Sequence, residues 1–471
     1  MRRRDWLRTT IAAGMGVSAA RLLEGGPLRS LLGDAAAAAA GVPGTLVATP
    51  ATIAVWPGRP TTVLTYGGTY PSPTIRAQRG DIVDVLLENQ LVENTNVHWH
   101  GLTVPADVDG HPMDVIGPGA SKQHTFQIVD RAGTYWYHPH PDMRTASQVY
   151  RGMAGFFIVE DPQQAALGLP TGAYDVPLLL QDRRLTADFS LQYAPTMMDM
   201  MGGYLGDVAL VNGVPEAEMT VAAAAYRFRL LNGSNARVFK VAFEDLRTFQ
   251  VIGGDGGLLE RPAPATSAFL GPGERVEIYV DFSRDPAGRT ARLVSLAFSA
   301  AGRGMGPGMG AGQGDPMSLL RLVVRGSGPT PPLPATLIPL DQNARPRVRR
   351  RFVMDMLMPP VFGNFTINGR AFDPGRVDAR ADRGVWEAWE VVNASAEPHP
   401  FHIHATQFRV VNRTSGPLAP HELALKDTVL VWPGEVVELH VRFDHYAGIY
   451  VFHCHNLEHE DMGMMATLEI V

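Results

Sequence analysis

The 471-residue chain has a single cysteine, so no intrachain disulfide is open to it. Charged residues make up only 19%, and a formal net charge of -6 gives no basic field to gather phosphate backbones, which argues against nucleic acid as a partner. Beyond the N-terminus no run of about 18 apolar residues occurs, so no stable membrane anchor is expected. Histidine is missing from Pro141 to Pro398. Glycine (49) and proline (37) are in excess. Together they form about 18% of the chain against about 12% in average usage, a balance that favours short strands and turns over long helices. With 45% hydrophobic residues there is material for packed cores, and the length suggests about three domains.

Arg2, Arg3 and Arg4 precede a mildly apolar, Ala/Gly-rich stretch from Thr9 to about Leu23, with small residues from Ala35 to Ala40. This resembles a twin-arginine signal with leader over residues 1–42, and implies export of a folded protein to a periplasmic or extracellular location. A lone cysteine in an exported chain then calls for a chemical role.

Short runs such as Val436-Val437-Glu438-Leu439-His440-Val441 alternate apolar and polar residues between Gly and Pro, which is the strand pattern. A larger unit repeats three times: Pro-Gly, a strand, Ala-Gly, a second strand. It runs from Pro118-Gly119 to Ala132-Gly133, from Pro272-Gly273 to Ala287-Gly288, and from Pro433-Gly434 to Ala447-Gly448. The chain therefore reads as all-β, three consecutive β-sandwich domains over 43–162, 163–328 and 329–471. The middle copy has no histidine after its repeat. Glu160 to Pro170 and the proline-rich Gly328 to Pro346 serve as linkers, and the Gly/Met stretch Gly302 to Met317 reads as a mobile loop.

Four H-x-H pairs stand out: His98/His100, His138/His140, His402/His404 and His453/His455. On a strand, residues i and i+2 share a face, so each pair presents two imidazoles side by side, as a metal site requires. The last pair brackets Cys454, which leads by C-x4-H-x4-M to His459 and Met464. A thiolate, two imidazoles and a weak axial thioether make a blue-copper electron-transfer site, and His399 is the candidate second imidazole. Cys454 faces away from His453 and His455, so two metal sites lie on opposite faces of one strand, one suited to accepting single electrons and the other to gathering them.

The motifs His98-Trp99-His100-Gly101, His138-Pro139-His140, His399-Pro400-Phe401-His402-Ile403-His404 and the run His453 to Met464 resemble the copper segments of three-domain multicopper oxidases. That group includes laccases, cuprous oxidases and bilirubin oxidases, and the resemblance covers the chain from about Pro43 to Val471. It implies cupredoxin-like Greek-key domains and four copper ions. The type 1 ion falls on His399, Cys454, His459 and Met464, and the type 2 ion on His98 and His402. The type 3 pair falls on His100, His138, His140, His404, His453 and His455, which puts a trinuclear cluster between the first and third domains. The implied reaction couples one-electron oxidation of phenols, aromatic amines or Cu(I) to reduction of dioxygen to water. A laccase of this kind would need an exposed edge of His459 or His399.

Glu460 and Asp109 match family positions that relay protons; each could instead only orient a ligand. Met197, Met198, Met200, Met201, Met305, Met309 and Met317 are soft thioethers suited to Cu(I), whereas Met354, Met356 and Met358 alternate as core residues on a strand would. His111, His124, His421, His440 and His445 match no ligand motif. The sequence departs from the cuprous-oxidase branch after His140, where Pro141-Asp142-Met143-Arg144 follows. Alternatives are a copper-sequestering exported protein without turnover, and a structural relative that has lost its copper. The complete ligand set argues against the second. Both copper centres lie within one chain, so a monomer suffices. Cys454→Ser is expected to abolish the blue absorption band and oxidase activity while the far-ultraviolet circular dichroism stays that of the parent.

Overall fold

The computed structural model describes residues 41–56, 58–299, 312–341, 344–357 and 364–471. The expected signal segment, the stretch holding Met305 and Met309, and Met358 lie outside the described residues.

Six sheets pair in chain order into three sandwiches. In the first, a four-stranded sheet ordered Arg59–Tyr66, Thr45–Trp56, Ile82–Asn89, Ser121–Gln127 faces a three-stranded sheet ordered Ile75–Gln78, Gly155–Glu160, Gly133–Tyr137. Residues such as Val83, Val85, Trp99, Tyr135 and Phe157, drawn from both sheets and the loops between them, form one buried cluster. A seven-stranded and a five-stranded sheet follow, with Phe228, Leu230, Ile278, Leu293 and Leu322 between them. The last sandwich has two five-stranded sheets around Trp389, Val391, Phe401, Leu439 and Phe452. The alternation seen in the sequence is the cause: in Val436–Val441 every second side chain is buried.

The repeated unit is a crossover and not a hairpin. Ser121–Gln127 and Gly133–Tyr137 belong to opposite sheets of the first sandwich, as do Arg275–Asp281 and Thr290–Ser295 in the second and Val436–Val441 and Gly448–Cys454 in the third. Parallel pairs such as Thr45–Ala48 with Leu86–Asn89, and Val348–Met354 with Glu387–Asn393, sit among antiparallel ones. This is the strand switching of a Greek-key sandwich. Met354 is fully buried in the third core and Met356 packs against it, as their alternation implies. The first linker contains a short helix, Pro162–Ala165, capped by the Asp161 side chain on Gln164 N. The second is irregular, with Leu337 and Ile338 packed on the middle core.

Charge ties the first two sandwiches together. Arg229 bonds Asp175 through Nε at 2.6 Å and Nη2 at 3.0 Å, and its Nη1 reaches Glu277 and Thr134 at 2.9 Å each. Thr134, from the first sandwich, donates to Glu277 Oε1 at 2.6 Å, and Arg227 Nε donates to Oε2 at 2.8 Å. Burial alone would raise the pKa of both carboxyls. The Arg229 and Arg227 guanidiniums outweigh it at Asp175, as Arg227 and Arg229 do at Glu277, and hold both below the usual range. A carboxylate with a depressed folded pKa stabilises the fold above its unfolded pKa of about 4, and that contribution is lost as pH falls through the folded value. Removing one member of such a buried pair costs about 3–5 kcal/mol. Glu277→Gln should therefore lower the thermal midpoint at pH 7, and the gap to the parent should narrow as pH is taken below about 4.

Candidate metal centres

The register of the last sandwich brings the histidines together. His399–Ile403 pairs antiparallel with Gly448–Cys454 so that His402 lies opposite His453 and Phe401 opposite Cys454. His402 and His404 therefore share a face with His453 and His455, while His399 and Cys454 share the other. In the first sandwich an isolated bridge sets His98 opposite His138. Gly110 lets the loop carrying Asp109 lie against that strand: its φ is +84°, and a Cβ there would meet Val97 O at 2.3 Å.

Outward hydrogen bonds fix the tautomer of six of the eight rings, and His140 Nδ1 and both nitrogens of His455 have no partner. His98 Nδ1 donates to Asp109 O at 2.7 Å, His402 Nδ1 to Asp427 O at 2.8 Å, and His404 Nδ1 to Asp109 Oδ2 at 2.7 Å. His138 Nδ1 donates to Pro139 O at 2.8 Å and His453 Nδ1 to Cys454 O at 3.1 Å. His100 is reversed, with Nε2 donating to Asp427 Oδ1 at 3.0 Å. Each of these six rings is left with its lone pair facing inward. Those lone pairs meet: His98 and His402 through Nε2 at 3.4 Å, His404 and His453 through Nε2 at 3.2 Å, and His100 Nδ1 with His138 Nε2 at 3.3 Å. His140 Nε2 lies 3.1 Å from His453 Nε2, and neither ring nitrogen of His455 has a hydrogen-bond partner. His455 packs edge-on to His100 and His138, with ring centroids 4.9 and 5.3 Å away.

On the opposite face, His399 Nδ1 lies 3.2 Å from Cys454 Sγ and 3.1 Å from His459 Nδ1, and Sγ is 3.8 Å from that same His459 atom. Both outer nitrogens are occupied, His399 Nε2 by Ser395 Oγ at 2.7 Å and His459 Nε2 by Met201 O at 3.1 Å. Met464 is buried in the same core, and its carbonyl accepts from Cys454 N at 3.0 Å.

This donor set fits cations and little else. Burial pushes His138 and His459 down to about 3 and His140 to about 4, so these three are neutral ligands near pH 7. Two neutral lone pairs at 3.1–3.4 Å repel unless positive charge sits between them. Burial pushes the Cys454 thiol up, so a soft cation is what would draw off its proton. Thiolate with imidazole suits copper on one face, and clustered imidazole suits copper on the other.

The carboxylates reach the all-histidine site from two sides. Besides its bond to His404, Asp109 lies 3.6 Å from His98 Nδ1, and burial, with Asp114 nearby, raises its pKa. Glu460 Oε2 is 3.1 Å from His453 Nδ1 and Oε1 is 3.6 Å from His140 Nε2. Burial works against its ionisation, but His140 and His453 outweigh it and hold the carboxyl below the usual range. The sequence reading missed Asp427, whose carboxylate and backbone carbonyl set two histidines at once; its only signal is an Asp-Thr pair opening the strand opposite His402.

An exposed imidazole edge is not what the structure shows. His399 and His459 are both fully buried. The helix Met197–Gly202 covers His459, held by a reciprocal cap between Thr196 and Asp199 and by an ion pair from Asp199 to Arg184, and Phe365 stacks on the ring at 4.8 Å. The expectation fails because the covering turn lies more than 250 residues away in sequence. Of the five histidines set aside as non-ligands, His124 is a buried core residue whose Nδ1 lies 3.3 Å from Trp99 Nε1 and 3.2 Å from Val108 O.

Fold and donor sets together define a cupredoxin-type protein with a cysteine-containing centre and an all-histidine centre on opposite faces of one strand. Multicopper oxidase family models match residues 48–164, 179–291 and 331–471. The multicopper oxidase mco of Staphylococcus haemolyticus is 34% identical, over 86% of this chain and 83% of that protein. The cell division protein FtsP of Escherichia coli is also 34% identical, over 88% of this chain and 86% of its own length. The solved structure of McoA multicopper oxidase from Aquifex aeolicus superposes with a TM-score of 0.81 at 34% identity, covering 90% and 95% of the two chains. The chain belongs to the multicopper oxidase family. It is a copper-dependent oxidoreductase with dioxygen as acceptor, built for four copper ions. Among the described residues no helix is long and apolar enough to cross a membrane.

Glu460→Gln is expected to keep the blue band while slowing oxygen uptake by about 10²-fold or more, in the range of lost acid–base assistance. An unchanged uptake rate would remove Glu460 from proton delivery.

Proposed function

We propose that this chain oxidises small phenolic or aromatic amine donors and Cu(I), with His399, Cys454, His459 and Met464 holding the type 1 ion. His98 and His402 hold the type 2 ion, and His100, His138, His140, His404, His453 and His455 the type 3 pair. The observation that carries the reading is the facing of neutral lone pairs in two buried clusters, His140 with His404 and His453, and His100 with His98 and His138. Bound copper supplies one-electron transfer at the first site and four-electron reduction of dioxygen at the second. The chain's own residues orient the ligands, exclude water and hold protons. Asp109 on His404 and Glu460 on His453 are placed to pass protons inward, and Glu460 directly follows His459 in the helix Leu457–Asp461. The peptide bonds on either side of Cys454 join it to His453 and His455, the shortest covalent link between the two clusters.

A donor meets the outer side of the Met197–Gly202 helix and not His459 itself, so electrons cross a packed backbone segment and binding is permissive. Met201, Met356 and Met462 pack around this core, which favours a soft donor beside phenols. The reading also includes twin-arginine export, domain limits near 162 and 328, and a monomeric enzyme. It is tested by loading the full chain with copper and recording the blue band, then oxygen uptake with a phenol and with Cu(I). Uptake with four electrons per dioxygen is expected from at least one donor. A blue protein that consumes no oxygen with either would be a copper binder without turnover.

A further inference from the structure

The middle sandwich brings no ligand to either centre, yet one of its side chains ends at the all-histidine cluster. Arg275 opens the strand Arg275–Asp281 and is fully buried. Its five N–H groups are all taken. Nε donates to Thr134 O of the first sandwich at 2.9 Å, and Nη1 donates to Gly273 O at 2.9 Å and Asp427 Oδ1 at 2.7 Å. Nη2 donates to Asp255 O at 3.2 Å and Asp427 Oδ2 at 2.5 Å. The guanidinium thus clamps the Asp427 carboxylate through both oxygens, in the planar fork that a lysine cannot make.

The clamped carboxylate has one remaining task. Oδ1 also accepts from Thr428 Oγ1 at 2.9 Å and from His100 Nε2 at 3.0 Å, so donors crowd this oxygen. Its partner is the outward nitrogen of His100, which presents Nδ1 inward, unlike the five rings anchored through Nδ1. The Asp427 backbone carbonyl sets His402 at the same time. Asp255 steadies the arrangement from behind: Oδ1 accepts from Arg275 N at 2.7 Å, and Oδ2 accepts from Asp427 N and Thr428 N at 3.3 Å each and pairs in charge with Lys426 Nζ at 3.0 Å. Gly101, next to His100, leaves the room: a Cβ there would meet Asp427 Oδ2 at 2.3 Å and Arg275 Nη2 at 2.7 Å.

We propose that Arg275 is a positioning residue of the trinuclear site, supplied by the ligand-free domain, which locks Asp427 so that His100 keeps Nε2 protonated and turns Nδ1 to the metal. The inference rests on the ligand assignment proposed above. Outer partners of this kind typically carry about 10–100-fold in metal affinity.

The test compares full-length copper-loaded parent, Arg275→Lys and Asp427→Asn by blue absorbance, the type 2 paramagnetic resonance signal, thermal midpoint and copper retained against a chelator. Both variants should keep the blue band. Both should hold trinuclear copper about 10-fold or more weakly, with an altered type 2 signal. An Arg275→Lys protein with unchanged signal and retention overturns the proposal. So does parallel loss of the blue band and trinuclear copper in both variants, which marks Arg275 as a general interface residue. If Arg275→Lys alone fails to fold, Asp427→Asn decides: selective trinuclear loss supports the clamp, and no loss or joint loss overturns it. A failed ligand assignment shows separately, as a parent that never binds four coppers.

Discussion

Electrostatic repulsion between imidazole lone pairs, held 3.1–3.4 Å apart in a buried cluster, is the constraint on which the molecule is built. Left alone, such rings would rotate away or take up protons. Rotation is blocked at six of the eight rings by an outer nitrogen tied to a carbonyl or carboxylate, and burial opposes protonation of His98, His100 and His402. Cations placed between the rings are what reconcile these inward lone pairs. The sandwiches, their linkers and the buried ion pairs between them supply the rigidity that this contact needs.

The three repeats divide the work unevenly. In the outer two the second strand of the crossover leads into His138/His140 and His453/His455, and His98 and His402 pair with these from a neighbouring bridge and strand. The middle one spends its polar groups on neighbours: Arg229 and Glu277 toward the first sandwich, Arg275 and Asp255 toward the third. Its lack of histidine reflects a structural task and not idleness.

Much of the centre was legible in the sequence because strand parity is a strict rule. Residues 402, 404, 453 and 455 must share one face once Phe401 pairs with Cys454, and spacing alone separates them from His399. The three crossovers were legible as Pro-Gly and Ala-Gly punctuation. What escaped was whatever depends on distant backbone. Asp427 and Arg275 are 152 residues apart, and nothing in either local pattern marks them as partners. The cover on His459 is a carbonyl oxygen, which every residue owns and no sequence motif announces. Asp109 and Glu460 were found through family resemblance, since a lone carboxylate in a loop or short helix has no spacing of its own.

The two halves of the all-histidine cluster stand at opposite ends of the chain, His98 to His140 early and His402 to His455 late. During synthesis the early group is a set of bridge and loop residues with nothing to enclose. Neither centre exists until the ribosome has passed His455 and, for the thiolate site, His459 and Met464. Metal capture is thereby a reading of synthesis past Met464: a product that stops before Leu457 carries most of the imidazoles and yet lacks a closed thiolate site.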